Sequence, residues 1–125
     1  MVAGGHHTVT PAALTYASVV SRDSVRIYLT IAALNGLKVL ACDMQNAYLT
    51  AMYREKIWTI VGPEFGPNAG KIMLITRSLY GLKFSGAAFM VLLSEVIWDL
   101  GYKPSRADPD VYMRLAVKLD GTTYW

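Results

Sequence analysis

The apolar positions of this chain change period several times, and each change marks an element. Ser21 offers an N-cap, and Asp23 is favourably placed near the positive end of a helix dipole. From Val25 to Leu37 apolar residues cover most of a helical surface, leaving a polar stripe of Arg22, Arg26 and Thr30. Gly36 is a natural stop, so the pattern predicts a largely buried helix. Directly afterwards Leu37, Val39, Leu40 and Ala41 form a short apolar run that reads as a buried strand ending at Cys42-Asp43. Glu55 to Val61 is β-rich, Gly62, Pro63, Gly66, Pro67 and Gly70 make a loop, and Lys71 to Thr76 is β-like again. That order predicts a long hairpin. Ser85 is placed to cap a second helix, in which Phe89, Leu92, Leu93, Val96, Ile97 and Leu100 share one face and Gly101 ends the run. Ala107-Asp108-Pro109-Asp110 reads as a turn before a β run from Val111 to Val117. Asp120-Gly121 then signals a hairpin whose returning strand starts at Thr122. A hairpin cut four residues into its second strand leaves unpaired edges, which reads as a truncation. Val9 to Val20, interrupted by Pro11, predicts no regular element.

Composition narrows the class. With 125 residues there is room for one domain and one core. Apolar residues make up 54% and charged residues 17%, so either the core is large or some apolar surface meets a partner. The net charge of +3 suits a polyanionic partner, but the twelve basic residues are scattered and equally describe a solvated surface. A lone cysteine, Cys42, excludes an internal disulfide and a multi-cysteine zinc site, and its apolar surroundings predict a buried inert thiol. The adjacent His6 and His7 read as a terminal tail without a second ligand pair. The N-terminus lacks the charged and apolar regions of a signal peptide. Arg26 and Asn35 interrupt one apolar helix and Glu95 and Asp99 the other, so no membrane span and an intracellular location are expected.

Three places carry candidate chemistry. An apolar run ending on Asp43, with Gln45, Asn46 and Tyr48 beyond it, makes either a strand-end turn or a metal ligand. Arg77-Ser78-Leu79-Tyr80-Gly81-Leu82-Lys83 is a second polar and aromatic junction before a helix. It reads as a capped core helix with an exposed lysine, or as a helix N-terminus that receives an anion. Asp108 and Asp110 suggest a metal pair, but Asp-Pro-Asp ahead of a β run is ordinarily a turn.

Taken together, the helix, the Asp43 strand, Asn46-Ala47-Tyr48-Leu49, the hairpin, Ser78-Leu79-Tyr80-Gly81-Leu82-Lys83, the second helix and Gly101-Tyr102 followed by Ala107-Asp108-Pro109-Asp110 resemble the reverse transcriptase of copia-type retrotransposons. The likeness extends from Val2-Ala3-Gly4-Gly5-His6 to Trp125. It implies an α+β fold, a partial right-hand polymerase in which two main helices pack on antiparallel strands of fingers and palm. Residues 1–125 would form a single partial domain, irregular over 1–20, with the core over 21–125. The Asp43 strand would lie beside the one beginning at Val111. The implied activity is RNA-directed DNA polymerisation, in which a nucleotidyl group passes from a deoxynucleoside triphosphate to a primer 3′-hydroxyl on an RNA or DNA template. Two Mg²⁺ ions bridging three carboxylates would assist it. Asp43 matches the first carboxylate, catalytic and metal-binding, and Met44 would offer its backbone carbonyl. Tyr48 matches the aromatic gate against a 2′-hydroxyl. Tyr80, Gly81 and Lys83 match the motif lining nucleotide and template.

The departures are informative. After Lys83 the family commonly carries Gln-Ala-Pro-Arg, whereas this chain has Phe84-Ser85-Gly86-Ala87. The resemblance places Tyr-Val-Asp-Asp, with the other two carboxylates, just beyond Trp125, and a basic triphosphate-gripping strand before Val2. Asp108 and Asp110 match a turn and not the metal site. A single carboxylate does not hold two Mg²⁺ ions, which demand near-octahedral oxygen coordination, so the isolated chain is expected to be inactive and to need the remainder of the polymerase as partner. The competing expectations are a non-catalytic nucleic-acid-binding module and a small partner-binding α+β domain.

Overall fold

A computed structural model describes residues 17–124. The His6-His7 pair, the Val2 to His6 start of the resemblance, Pro11 and Trp125 lie outside the described residues. The chain mixes helices with antiparallel two-stranded sheets, as an α+β assignment requires. It divides into two compact units, one built on Gln45–Leu92 with Ala17, the other on Ser18–Met44 and the chain from Leu93 onward.

The first unit holds the short helix α2 (Ala47–Thr50), strand β1 (Met52–Ile60), strand β2 (Ile72–Arg77) and the first half of helix α3 (Ser85–Asp99). β1 and β2 form the expected antiparallel hairpin, with Ile57 opposite Ile75, Trp58 opposite Leu74 and Ile60 opposite Ile72. The register shifts between Met52 and Ile57, an irregularity of the β-bulge kind. Between the strands, Pro63–Asn68 makes 3-10 turns broken at Gly66, whose positive φ of 55° a residue with a side chain rarely adopts. The buried apolar residues here are Ala51, Tyr53, Val61, Leu82, Ala87 and Ala88. Three of these six are alanines, so small side chains make up much of that core.

The second unit starts with α1 (Arg22–Leu34). Ser21 is its N-cap as expected, its Oγ accepting from the Ser24 N–H at 3.1 Å. At the other end the Leu37 N–H donates to the Ala32 carbonyl at 2.8 Å and the Gly36 N–H to that of Ala33 at 3.4 Å, with Gly36 at φ 61°. This pair of bonds is a Schellman stop, which needs a left-handed residue. The short strands β3 (Lys103–Pro104) and β4 (Tyr112–Met113) pair, as do β5 (Ala116–Val117) and β6 (Thr123–Tyr124) across the Asp120-Gly121 turn.

Four expectations for this unit are corrected. Residues 37–44 form no strand: Leu37, Val39, Leu40 and Met44 are exposed, Leu40 to 91%. A strand needs ladder partners for its N–H and C=O groups. Here β4 pairs with β3 and β5 with β6, so the stretch leading to Asp43 does not lie in a sheet beside the strand beginning near Val111. Cys42 is exposed and not buried. Helix α1 is likewise exposed over most of its surface, with Ala32 its buried residue. Two ribbons of two-residue strands carry too little surface to cover a helix that is apolar nearly all round. The predicted β run from Val111 to Val117 is split into β4 and β5 around Arg114 and Leu115.

Candidate functional site

The two motifs that carry Tyr48 and Tyr80 meet in the first unit. Asn46 adopts a left-handed conformation (φ 54°, ψ 33°), which asparagine tolerates better than most residues, and turns the chain into α2. The helix is one turn long, and the Arg77 guanidinium ties it to the hairpin by donating to the Thr50 carbonyl at 2.9 Å. Tyr48 projects from this turn onto Tyr80, their ring centroids 4.6 Å apart and tilted by 32°, while Phe89 of α3 closes the cluster at 6.0 Å from Tyr48. Such offset aromatic pairs hold each other's orientation beyond what area burial alone supplies. Tyr48 is half-buried, while Tyr80 keeps much of its ring in solvent, so the pair presents an aromatic surface.

The segment that presents Tyr80 is pinned from beneath. Ser78 is fully buried and its N–H donates to the Ala51 carbonyl at 3.0 Å. Gly81, at φ 94°, lets the chain reverse directly after Tyr80. Ser85 is the first residue of α3, and its hydroxyl donates to the Leu79 carbonyl at 2.7 Å. It therefore fastens the junction to the helix, in place of the cap on the helix's own N–H groups that the sequence pattern predicts. Gly86 faces Ala17 closely enough that an added Cβ would come within 3.1 Å of the alanine Cβ, and within 3.8 Å of the Tyr48 hydroxyl. Phe84 meets Tyr53 edge-on at 6.1 Å. Burial, and secondarily the Glu55 charge, pushes the Tyr53 phenol above its ordinary range, so it stays neutral. Phe84 thus packs on Tyr53, Ser85 fastens the Leu79 carbonyl, and Gly86 leaves room beside the Tyr48 hydroxyl.

Asp43 and Met44 belong to the other unit, on the exposed stretch before α2. Among the described residues no three His, Cys, Asp or Glu side chains converge. One exposed carboxylate with a neighbouring carbonyl does not supply the oxygen set that a firmly held Mg²⁺ needs. These residues therefore do not fit the metal pair by themselves. The Asp108 and Asp110 carboxylates are instead taken up by hydrogen bonds to the chain before and within α1. Asp108 accepts from the Ser24 hydroxyl at 2.6 Å, the Ser21 N–H at 3.0 Å and the Asp110 N–H at 3.2 Å, and Asp110 accepts from Ser18 Oγ at 2.6 Å. These bonds, led by that from Ser24, lower the Asp108 carboxyl to about 2. The Asp-Pro-Asp turn therefore clamps the start of α1, where its charge also suits the helix dipole. The turn is legible in the sequence but its target is not, because partners so far apart leave no local signal.

A family model described as reverse transcriptase (RNA-dependent DNA polymerase) matches residues 1–120. No curated protein and no solved structure matches.

Proposed function

The chain belongs to the reverse transcriptase (RNA-dependent DNA polymerase) family, and from that premise we propose that it is a copia-type fingers and palm piece that meets template–primer and deoxynucleotide but does not polymerise alone. The observation that carries this reading is the Tyr48–Tyr80 contact, because it joins in space the two motifs that the family assigns to the incoming nucleotide. In that role Tyr48 lies against the sugar and disfavours a 2′-hydroxyl, while Tyr80, Gly81 and Lys83 line the base and template. Asp43 is the carboxylate that this chain would contribute to a Mg²⁺ site, with Met44 lending its carbonyl. Members of the family generally work with a divalent metal, which would neutralise the triphosphate and activate the primer hydroxyl. A single exposed carboxylate is an incomplete site for it.

The exposed apolar side chains supply the reason to expect a large partner. Val19, Leu34, Val39, Leu40 and Leu119 all face solvent, as apolar side chains do on a surface that another part of a polymerase covers. The test is primer extension on poly-rA with Mg²⁺ or Mn²⁺. The 125-residue chain is expected to incorporate nothing, and incorporation that Asp43→Ala abolishes overturns the proposal. Where a complementing C-terminal piece restores synthesis, Tyr48→Ala should admit ribonucleotides, and unchanged sugar discrimination removes the gate role.

A further inference from the structure

Wholly within the second unit, the last turns of α3 face the β3–β4 ribbon across an open cleft of about 400 Å³. Its walls are Ser94, Glu95, Trp98 and Asp99 from the helix and Pro104 and Tyr112 from the ribbon. Pro104 and Tyr112 are direct cross-strand partners, so both project from the same face. Glu95, Trp98 and Asp99 stand at positions i, i+3 and i+4, which places the indole between two carboxylates on one helix face. Trp98 remains 58% exposed.

Two features of this cleft call for a cation. Carboxylates one helical turn apart repel each other, yet neither Glu95 nor Asp99 makes an ion pair among the described residues, and no lysine or arginine lines the walls. The remaining walls are mostly apolar and aromatic. That environment suits a weakly hydrated, planar, delocalised charge and not a compact metal ion, which would ask for an oxygen cage. A guanidinium stacked on Trp98 satisfies both demands, since its face meets the indole and its N–H fork reaches carboxylates. The volume falls within the range of roughly 300–1,000 Å³ typical of ligand sites. The cleft's open side admits a side chain delivered from outside. We propose that this cleft docks an arginine side chain of a basic segment on a partner protein.

The experiment follows the indole N–H resonance of Trp98, assigned with Trp98→Phe, during titration of the 125-residue chain with acetyl-Gly-Gly-Arg-Gly-Gly-amide. A saturable shift is expected, at least tenfold weaker for the lysine peptide and absent for the neutral citrulline peptide. It should weaken as salt is raised. Glu95→Gln with Asp99→Asn, which preserves side-chain volume, should lower affinity at least tenfold. No shift at millimolar peptide, an equal response to citrulline, or unchanged binding in the double variant overturns the proposal. The citrulline comparison uses the unaltered protein, so it decides the matter even if a variant misfolds. Free arginine binding as tightly as the peptide would replace the protein partner with a small molecule and so overturn it as well.

Discussion

Ser78 and Ser85 are both buried hydroxyls under the Tyr80 junction, yet replacing each by alanine should change stability in opposite directions. Ser78 is 0% exposed and its Oγ has no hydrogen-bond partner among the described residues. Ser85 is 1% exposed, and its Oγ donates to the Leu79 carbonyl at 2.7 Å. A buried hydroxyl without a partner costs about 1–3 kcal/mol. Ser78→Ala removes that cost and leaves a void of one oxygen, so the variant should gain about 1 kcal/mol. Ser85→Ala loses a hydrogen bond worth about 1 kcal/mol net. The loss stops there because the Leu79 carbonyl still accepts from the Leu82 N–H at 3.2 Å. The variants should differ from each other by roughly 2 kcal/mol. Urea unfolding followed by tryptophan fluorescence measures this, with the midpoint rising for Ser78→Ala and falling for Ser85→Ala at unchanged slope. A loss of stability in Ser78→Ala refutes the reasoning, since it would mean that the hydroxyl does bond in the folded protein.

Two further outcomes follow from the second unit. Asp108 is held at about 2, below its ordinary 3.8, so its contribution is fully present above that ordinary value and is lost as pH falls toward 2. Asp108→Asn should therefore unfold earlier than the parent at pH 5, and the gap between their urea midpoints should close by pH 2; a constant gap contradicts the clamp. Leu40, 91% exposed, should tolerate alanine within about 0.5 kcal/mol, whereas a loss of 2–5 kcal/mol, as for a buried leucine, would restore the strand reading.

The elements that the sequence predicted well are those whose stabilising contacts are local. Ser21 and Gly36 mark the ends of α1 because cap chemistry involves only neighbouring residues. The Gly/Pro loop gives the β1–β2 hairpin, and Asp120-Gly121 the β5–β6 turn, for the same reason. The run from Leu37 to Ala41 misled because apolar composition describes what a strand could bury, not whether a partner strand exists. The apolar surface of α1 misled in the same way. The motifs single out Tyr48 and Tyr80 without revealing that their rings meet. The clamp on Ser21 and Ser24 and the Trp98 cleft depend on residues distant in sequence, or on opposing elements, and only the folded chain brings them together.

The central claim, that the Ser78 to Lys83 junction faces nucleic acid, is most directly tested by the salt dependence of binding to an RNA–DNA primer–template. The account predicts an affinity that falls linearly with the logarithm of salt concentration, with Lys83→Ala weakening binding and reducing the slope by about 0.9, the share of one phosphate contact. Binding that ignores salt, or a slope that Lys83→Ala leaves unchanged, contradicts it.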